Sequence, residues 1–302
     1  MNVVQRVRYS PFLVQVVVIR RCNLSCAYCN EFDSDSDPIP TDRLKQRIDA
    51  IKNLGAWAIE WSGGEPLLHP DIYEITRYAK GKGFTRVMLL SNGFPLCEEV
   101  IEKLNEAGLD HMQVSLDGVV PNKNTVKVLR PLRPKLETLA RLAKFRVTLN
   151  AVIGSAPATE AQEVVNFARD HGFQPRVCLI HDHTGQIKLS PDETEVFMQI
   201  RKTVGRGFRE GADYRTRLLE EGKAPYRCRA GSRFLYVDEN GMVSWCSQQR
   251  AAFAVPLDEF TPQHLKEQFH TPKTCADSCT VGCVRTCSQY DNWRPQSRHT
   301  RD

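Results

Sequence analysis

The sequence predicts an α/β protein: a parallel sheet flanked by helices, followed by a small Cys-rich region. Three observations predict it. Six short runs rich in Val, Ile, Leu and aromatics alternate with amphipathic stretches as far as residue 180. Strand–helix alternation of this kind calls for a parallel sheet with helices outside. Six units are too few to close an eight-stranded barrel, so the fold is an open, partial (β/α)6 barrel or a doubly wound sheet. The eleven cysteines are clustered, with three between residues 22 and 29 and six between 228 and 287.

The strand candidates are residues 12–19, 57–61, 86–90, 111–116, 146–153 and 176–180, several of them bounded by Gly, Pro or Asn. Between the first two, residues 41–54 carry Leu44, Ile48, Ile51 and Leu54 near a 3.6-residue period. Thr41 or Asp42 suits the N-cap of that helix. Helices near 71–80, 98–107, 135–144 and 159–171 follow the same pattern, and Gly55, Gly108 and Gly172 fall where three of the helices should stop. In either topology, ligands bind at the C-terminal ends of the strands. Polar and Cys residues stand at those ends in this chain. Beyond residue 200 the periodicity fades; 205–227 reads as a connection, and from Cys228 the chain needs an added constraint such as metal to fold.

Composition narrows the function classes. The net charge of +5 is small and its Lys and Arg are scattered, which suits a solvated face rather than a nucleic-acid surface. No apolar run approaches the roughly 20 residues of a membrane helix. The N-terminus lacks the order of a secretion signal, so a cytoplasmic address is expected. In a reducing compartment, clustered thiols are metal ligands more often than disulfides.

The first cluster reads Arg21-Cys22-Asn23-Leu24-Ser25-Cys26-Ala27-Tyr28-Cys29, a C-x3-C-x2-C spacing just after the first strand. Three thiolates on one loop can ligate three irons of a cubane and leave the fourth iron open for chemistry. A zinc site is the rival, but zinc knuckles usually offer paired C-x2-C units with four ligands.

With an aromatic before its last cysteine, this loop resembles the radical SAM superfamily. That resemblance implies the partial (β/α)6 barrel with a small Cys-rich C-terminal iron–sulfur domain. It also implies a catalytic 4Fe–4S cluster on Cys22, Cys26 and Cys29, with S-adenosylmethionine chelated at the open iron. One electron then cleaves the cofactor, and the 5′-deoxyadenosyl radical removes hydrogen from substrate. The protein supplies position and seclusion.

The other strand ends extend the resemblance. Ser62-Gly63-Gly64-Glu65-Pro66 resembles the superfamily's GGEP segment: Gly63 and Gly64 let backbone approach the cofactor, and Glu65 is expected to accept from its ammonium. Ser91 and Asn92 end the third strand, Ser115 and Asp117 the fourth, and Asn150 lies on the fifth. By resemblance these residues, with Tyr28, are candidates for the cofactor's ribose and carboxylate. Turn chemistry also accounts for several of them. Past the sixth strand, His181 and His183 lie where substrate should bind, as metal ligands, proton carriers or simply a polar loop. Cys178 reads as an apolar filler or a hydrogen-atom donor, and Cys97 as structural.

In the second cluster, Asn240-Gly241 between two β-like runs is a hairpin signal that brings Cys228 and Cys246 together. Cys275, Cys279, Cys283 and Cys287 follow at even spacing. The Gly241-x4-Cys246 element and this late run resemble the superfamily's SPASM and Twitch domains, which hold auxiliary clusters. The spacing departs from the full SPASM form, so one or two auxiliary 4Fe–4S clusters remain open, with Asp291 or His299 as non-Cys ligands. A four-cysteine zinc site is the alternative.

The expected organisation is a radical SAM domain over 1–204, a connection over 205–227 and an auxiliary iron–sulfur domain over 228–302. The expected function is an oxidoreductase that abstracts hydrogen from an unactivated C–H of a small natural-product molecule, with the auxiliary cluster as electron partner and flavodoxin or ferredoxin as donor. About twenty residues precede Cys22, which favours a small molecule over a peptide. The alternatives are a peptide maturase and a non-catalytic iron–sulfur or zinc protein for electron transfer or scaffolding.

Overall fold

The computed structural model describes residues 8–180, 187, 189–203, 214–224 and 226–291. Strands β1 (Leu13–Ile19), β2 (Ala58–Gly63), β3 (Arg86–Ser91), β4 (His111–Leu116), β5 (Arg146–Ile153) and β6 (Gln174–Leu179) all run parallel. They lie in the simple order 6-5-4-3-2-1. A doubly wound sheet reverses order at a switch point; this one does not. The fold is the partial (β/α)6 barrel, left open because β6 ends the sheet on one side and a later strand covers β1 on the other.

The helices are α1 (Thr41–Asn53), α2 (Ile72–Gly81), α3 (Glu98–Ala107), α4 (Leu129–Leu142), α5 (Ala158–Asp170), α6 (Pro191–Thr203) and α7 (Tyr214–Glu221). Helix α1 buries Leu44, Ile48 and Ile51, the stripe its periodicity predicts. Its cap differs from expectation. Pro40 holds the N-cap position without a side-chain cap, and Thr41 Oγ1 donates instead to Asp71 Oδ2 at 2.5 Å. Helix α4 begins six residues before the expected 135, so it contains Pro131 and Pro134. A proline in the first turn removes an N–H that has no helical partner anyway. Leu129, Leu132, Leu136 and Leu139 then bury one continuous stripe that outweighs the interior Pro134. Strand β6 begins at Gln174 and includes Pro175, which an edge strand tolerates because one side makes no ladder bonds.

The Cys-rich region joins the same sheet. Strand β7 (Phe234–Val237) pairs parallel with β1, placing Tyr236 opposite Gln15. Strands β8 (Met242–Ser244) and β9 (Ala254–Pro256) continue antiparallel. β7 is buried along its whole length and caps an edge that would otherwise expose unpaired backbone. Helices α8 (Pro262–His270) and α9 (Gly282–Ser288) follow. A buried ion pair, Arg233 Nε to Asp291 Oδ2 at 2.7 Å, ties the end of this region to the base of β7. Among the described residues no helix is long and apolar enough to cross a membrane.

Candidate active site

The three-cysteine loop is closed at its base by backbone. Cys22 N–H donates to the Asp33 carbonyl and Asp33 N–H to the Arg20 carbonyl, each at 3.0 Å. At its tip, Ala27 N–H donates to the Asn124 carbonyl at 3.0 Å. Cys26 is buried, Cys22 partly buried and Cys29 exposed. Burial pushes the Cys22 thiol up, so its deprotonation calls for a cation nearby.

The segment after β2 packs against the chain entering this loop. A Cβ on Gly63 would stand 2.1 Å from the Ile19 carbonyl oxygen, and one on Gly64 would stand 2.2 Å from that of Arg20. Gly63 also adopts φ 129°, a region side chains rarely reach. Backbone hydrogen bonds from Gly64 to Ile19 (2.9 Å) and from Glu65 to Arg21 (3.1 Å) fix the approach.

A cavity of about 190 Å³ opens between these pieces. Cys22, Cys26 and Cys29 line it together with Gly63, Gly64, Ser91, Asn92 and Ser115. The expected cofactor residues Tyr28, Glu65, Asp117 and Asn150 stand outside that lining. Glu65 lies behind the residues that line the cavity. It is fully buried and accepts from Asn92 N–H at 2.7 Å, Ser91 Oγ–H at 3.0 Å and Leu67 N–H at 3.1 Å. Burial lifts its carboxyl to about 7 although these bonds pull the other way. It braces the loops that face the cavity: Oε1 accepts two of these bonds and Oε2 one, which leaves Oε2 with further acceptor capacity. Asn92 Nδ2 donates to Asn23 Oδ1 at 2.8 Å and lies 3.6 Å from Cys22 Sγ.

Tyr28 donates its hydroxyl to Asp117 Oδ2. The other oxygen of Asp117, and Oδ1 of Asn150, are buried without a hydrogen-bond partner among the described residues. Orphaned buried oxygens are rare in folded proteins and mark a place for a donor from outside the chain. Ser115 and Asn150 are paired in register across β4 and β5. The sequence reading missed Lys127. Among the described residues it is the cation that lines the cavity, and its Nζ lies 3.6 Å from Asp117 Oδ2 and 5.1 Å above the Tyr28 ring. It sits in an irregular loop with no motif of its own. The strand-end rule was the one signal for it.

The six later cysteines divide. Burial, then the neighbouring Cys279, pushes Cys228 up to about 12, and the same two causes raise Cys246 further. Burial, and after it Cys275, raises Cys279 against the opposing effect of the Tyr226 hydroxyl. These four are linked through Cys279 and Cys275, and Cys283 adds a weaker contact with Cys246. Cys283 and Cys287, one turn apart on α9, meet Glu60 of β2 as their foremost charged neighbour. Glu60 is held there by Gln15 Nε2 at 2.6 Å. Among the described residues no group of three His, Cys, Asp or Glu side chains stands ready to hold a metal ion. Asp291, offered as a ligand, is engaged by Arg233 instead. Cys178 Sγ accepts from Arg215 Nη2 at 3.4 Å. Cys97 is exposed at the start of α3. His181, His183 and His299 lie outside the described residues.

The family model described as "Radical SAM superfamily" matches residues 16–198, which include the cysteine loop and every cavity-lining residue. The chain belongs to the radical SAM superfamily. Membership implies a 4Fe–4S cluster and S-adenosylmethionine, and the thiols, cavity and unpartnered oxygens fit that pair. Among curated relatives, the chain is 34% identical over 172 residues to the AdoMet-dependent heme synthase of Methanosarcina barkeri, covering 54% of this chain and 48% of that one. It is 32% identical over 174 residues to the GTP 3′,8-cyclase of Chlorobaculum tepidum, covering 54% and 52%. The matches thus span about half the length of these relatives. Streptococcus suis SuiB bound to precursor peptide SuiA shares the fold with a TM-score of 0.63 at 17% identity, covering 79% of this chain and 60% of that one. The structure of anSMEcpe with bound AdoMet and Cp18Cys peptide gives 0.61 at 17%, covering 84% and 80%.

Proposed function

We propose that this chain is a radical SAM oxidoreductase acting on an unactivated C–H of a small natural-product molecule. The observation that carries this is the cavity in which Cys22, Cys26 and Cys29 meet the Gly63-Gly64 backbone and the polar ends of β3 and β4. When bound, the cluster supplies the single electron that cleaves S-adenosylmethionine to a 5′-deoxyadenosyl radical. The chain's own part is to hold the cofactor: Gly63 and Gly64 by close backbone approach, and Ser115, Asp117 and Asn150 by polar contacts. Lys127 pairs with the cofactor's carboxylate.

Cys228, Cys246, Cys275 and Cys279 are proposed to hold one auxiliary cluster as electron partner, which leaves Cys283 and Cys287 free. A flavodoxin or ferredoxin would feed the first cluster. The proposed compartment is the cytoplasm, where reducing conditions suit exposed thiols. The heme synthase and GTP cyclase relatives favour a small-molecule substrate. A peptide is the second reading, favoured by the peptides bound in the SuiB and anSMEcpe structures.

The test is anaerobic reconstitution, an iron and sulfide count, and incubation with S-adenosylmethionine and dithionite. Expected are 5′-deoxyadenosine and about eight irons per chain, with the nucleoside lost in Cys26→Ala. No nucleoside from a fully loaded, reduced wild type, with small molecules and peptides both supplied, would sink the proposal.

A further inference from the structure

Arg250 stands between the two cysteine groups. Its Nη2 donates to the carbonyl oxygen of Asn30 at 3.0 Å, the residue directly after Cys29. Its Nε donates to the carbonyl oxygen of Ser247 at 2.9 Å, the residue directly after Cys246. One planar guanidinium therefore spans the backbone behind one cysteine of each group. The same Nη2 lies 3.1 Å from Glu31 Oε1, and Glu31 lines the cavity with the first three thiols.

The remaining contacts of Glu31 extend the bridge. Its Oε2 accepts from Arg20 Nη1 and from the Tyr236 hydroxyl, each at 2.6 Å. Arg20 Nε also donates to Glu239 Oε2 at 2.8 Å. Arg20 precedes Cys22 by two residues and Glu31 follows Cys29 by two, so both legs of the cysteine loop are fastened. Their partners Tyr236 and Glu239 belong to β7 and the turn after it. Arg20 and Tyr236 are buried, where solvent screens charge least.

We infer that Arg250 is a positioning residue that fixes the two cysteine centres relative to each other and raises the reduction potential of both. The inference rests on the reading of both groups as iron–sulfur ligands. Reduction adds negative charge to a cluster, and a nearby guanidinium favours it; hydrogen bonding and local charge are among the main settings of cluster potential. Glu31 acts in the opposite sense, since its carboxylate opposes reduction of the first centre. A lysine at 250 keeps the charge but lacks the rigid fork that reaches two carbonyls at once.

The test is an anaerobic redox titration of the reconstituted full chain, followed by electron paramagnetic resonance, with iron content and thermal melting recorded for each variant. In Arg250→Met both potentials should move down. In Arg250→Lys both should stay near wild type, and in Glu31→Gln the first centre should move up. A role in stability alone would lower the melting temperature of Arg250→Met and leave the potentials in place, which overturns the inference while the two-centre reading stands. So does movement of one centre only. If Arg250→Met does not fold, the Glu31→Gln shift and the Arg250→Lys retention decide. A wild type that loads a single centre overturns this inference and the two-centre reading together.

Discussion

Glu65, just after β2, accepts the backbone N–H of Asn92, just after β3, at 2.7 Å. One carboxylate thereby locks two neighbouring strand ends that both face the cysteine cavity. Removing it leaves the Asn92 and Leu67 N–H groups and the Ser91 hydroxyl without their acceptor. Each unsatisfied buried donor costs about 1–3 kcal/mol, and water entering the space offsets part of it. Glu65→Ala should lose about 3 kcal/mol of stability in urea denaturation and bind S-adenosylmethionine more weakly. Unchanged stability would mean the brace is dispensable.

Lys127 makes a second, independent prediction. Its ammonium lies between Asp117 and the cavity. Lys127→Met should weaken S-adenosylmethionine binding about tenfold, worth about 1.4 kcal/mol, with Lys127→Arg intermediate. Equilibrium dialysis on the reconstituted protein measures both, and equal affinity in the Met variant would remove Lys127 from the site.

The division of the later cysteines is tested by iron counts. Cys279→Ser should lose the iron of the second centre while keeping that of the first. Cys283→Ser and Cys287→Ser should keep both, because Glu60 is the foremost charged neighbour of each thiol, ahead of the contact of Cys283 with Cys246. Loss of iron in either of the last two variants would reject the four-plus-two division.

His111 on β4 shares a hydrogen bond with Thr148 Oγ1 at 2.9 Å. Burial first, then Arg176, Arg146 and Arg86, hold its pKa down near 4 against an ordinary 6.5. The unfolded chain therefore takes up a proton as pH falls below 6.5, and the folded chain does not until about 4. The stability of the neutral form is whole above 6.5 and declines between 6.5 and 4, by about 2 kcal/mol after allowance for partial exposure. His111→Gln should show a shallower decline than wild type over that window in urea denaturation. Parallel pH profiles would place the titration elsewhere.

Much of the frame was legible in the amino-acid order. Residues 111–116 and 146–153 are strands with the bounds their composition predicts, because Met112, Val114 and Leu116, and Val147, Leu149, Ala151 and Ile153, recur at the two-residue period of a strand. The cysteine spacing and the Gly63-Gly64 pair were legible too, since each is a local requirement of one loop. The start of α4 was misplaced because its two prolines weigh heavily in a local reading, whereas the leucine stripe that overrides them needs a sheet to pack on.

What the sequence determined by itself is therefore the repeating strand–helix order and the C-x3-C-x2-C loop of Cys22, Cys26 and Cys29 after the first strand, while the observed strand order chose the open (β/α)6 frame over a doubly wound sheet. The tertiary structure alone decided that β7 completes the edge of β1, that Glu65 ties the ends of β2 and β3 together, and that Lys127 and Arg250 reach the cysteine loop. The physical reason is distance along the chain. Arg250 meets Asn30 across 220 residues, and no local pattern encodes a partner that far away; strand pairing and burial bring the two together.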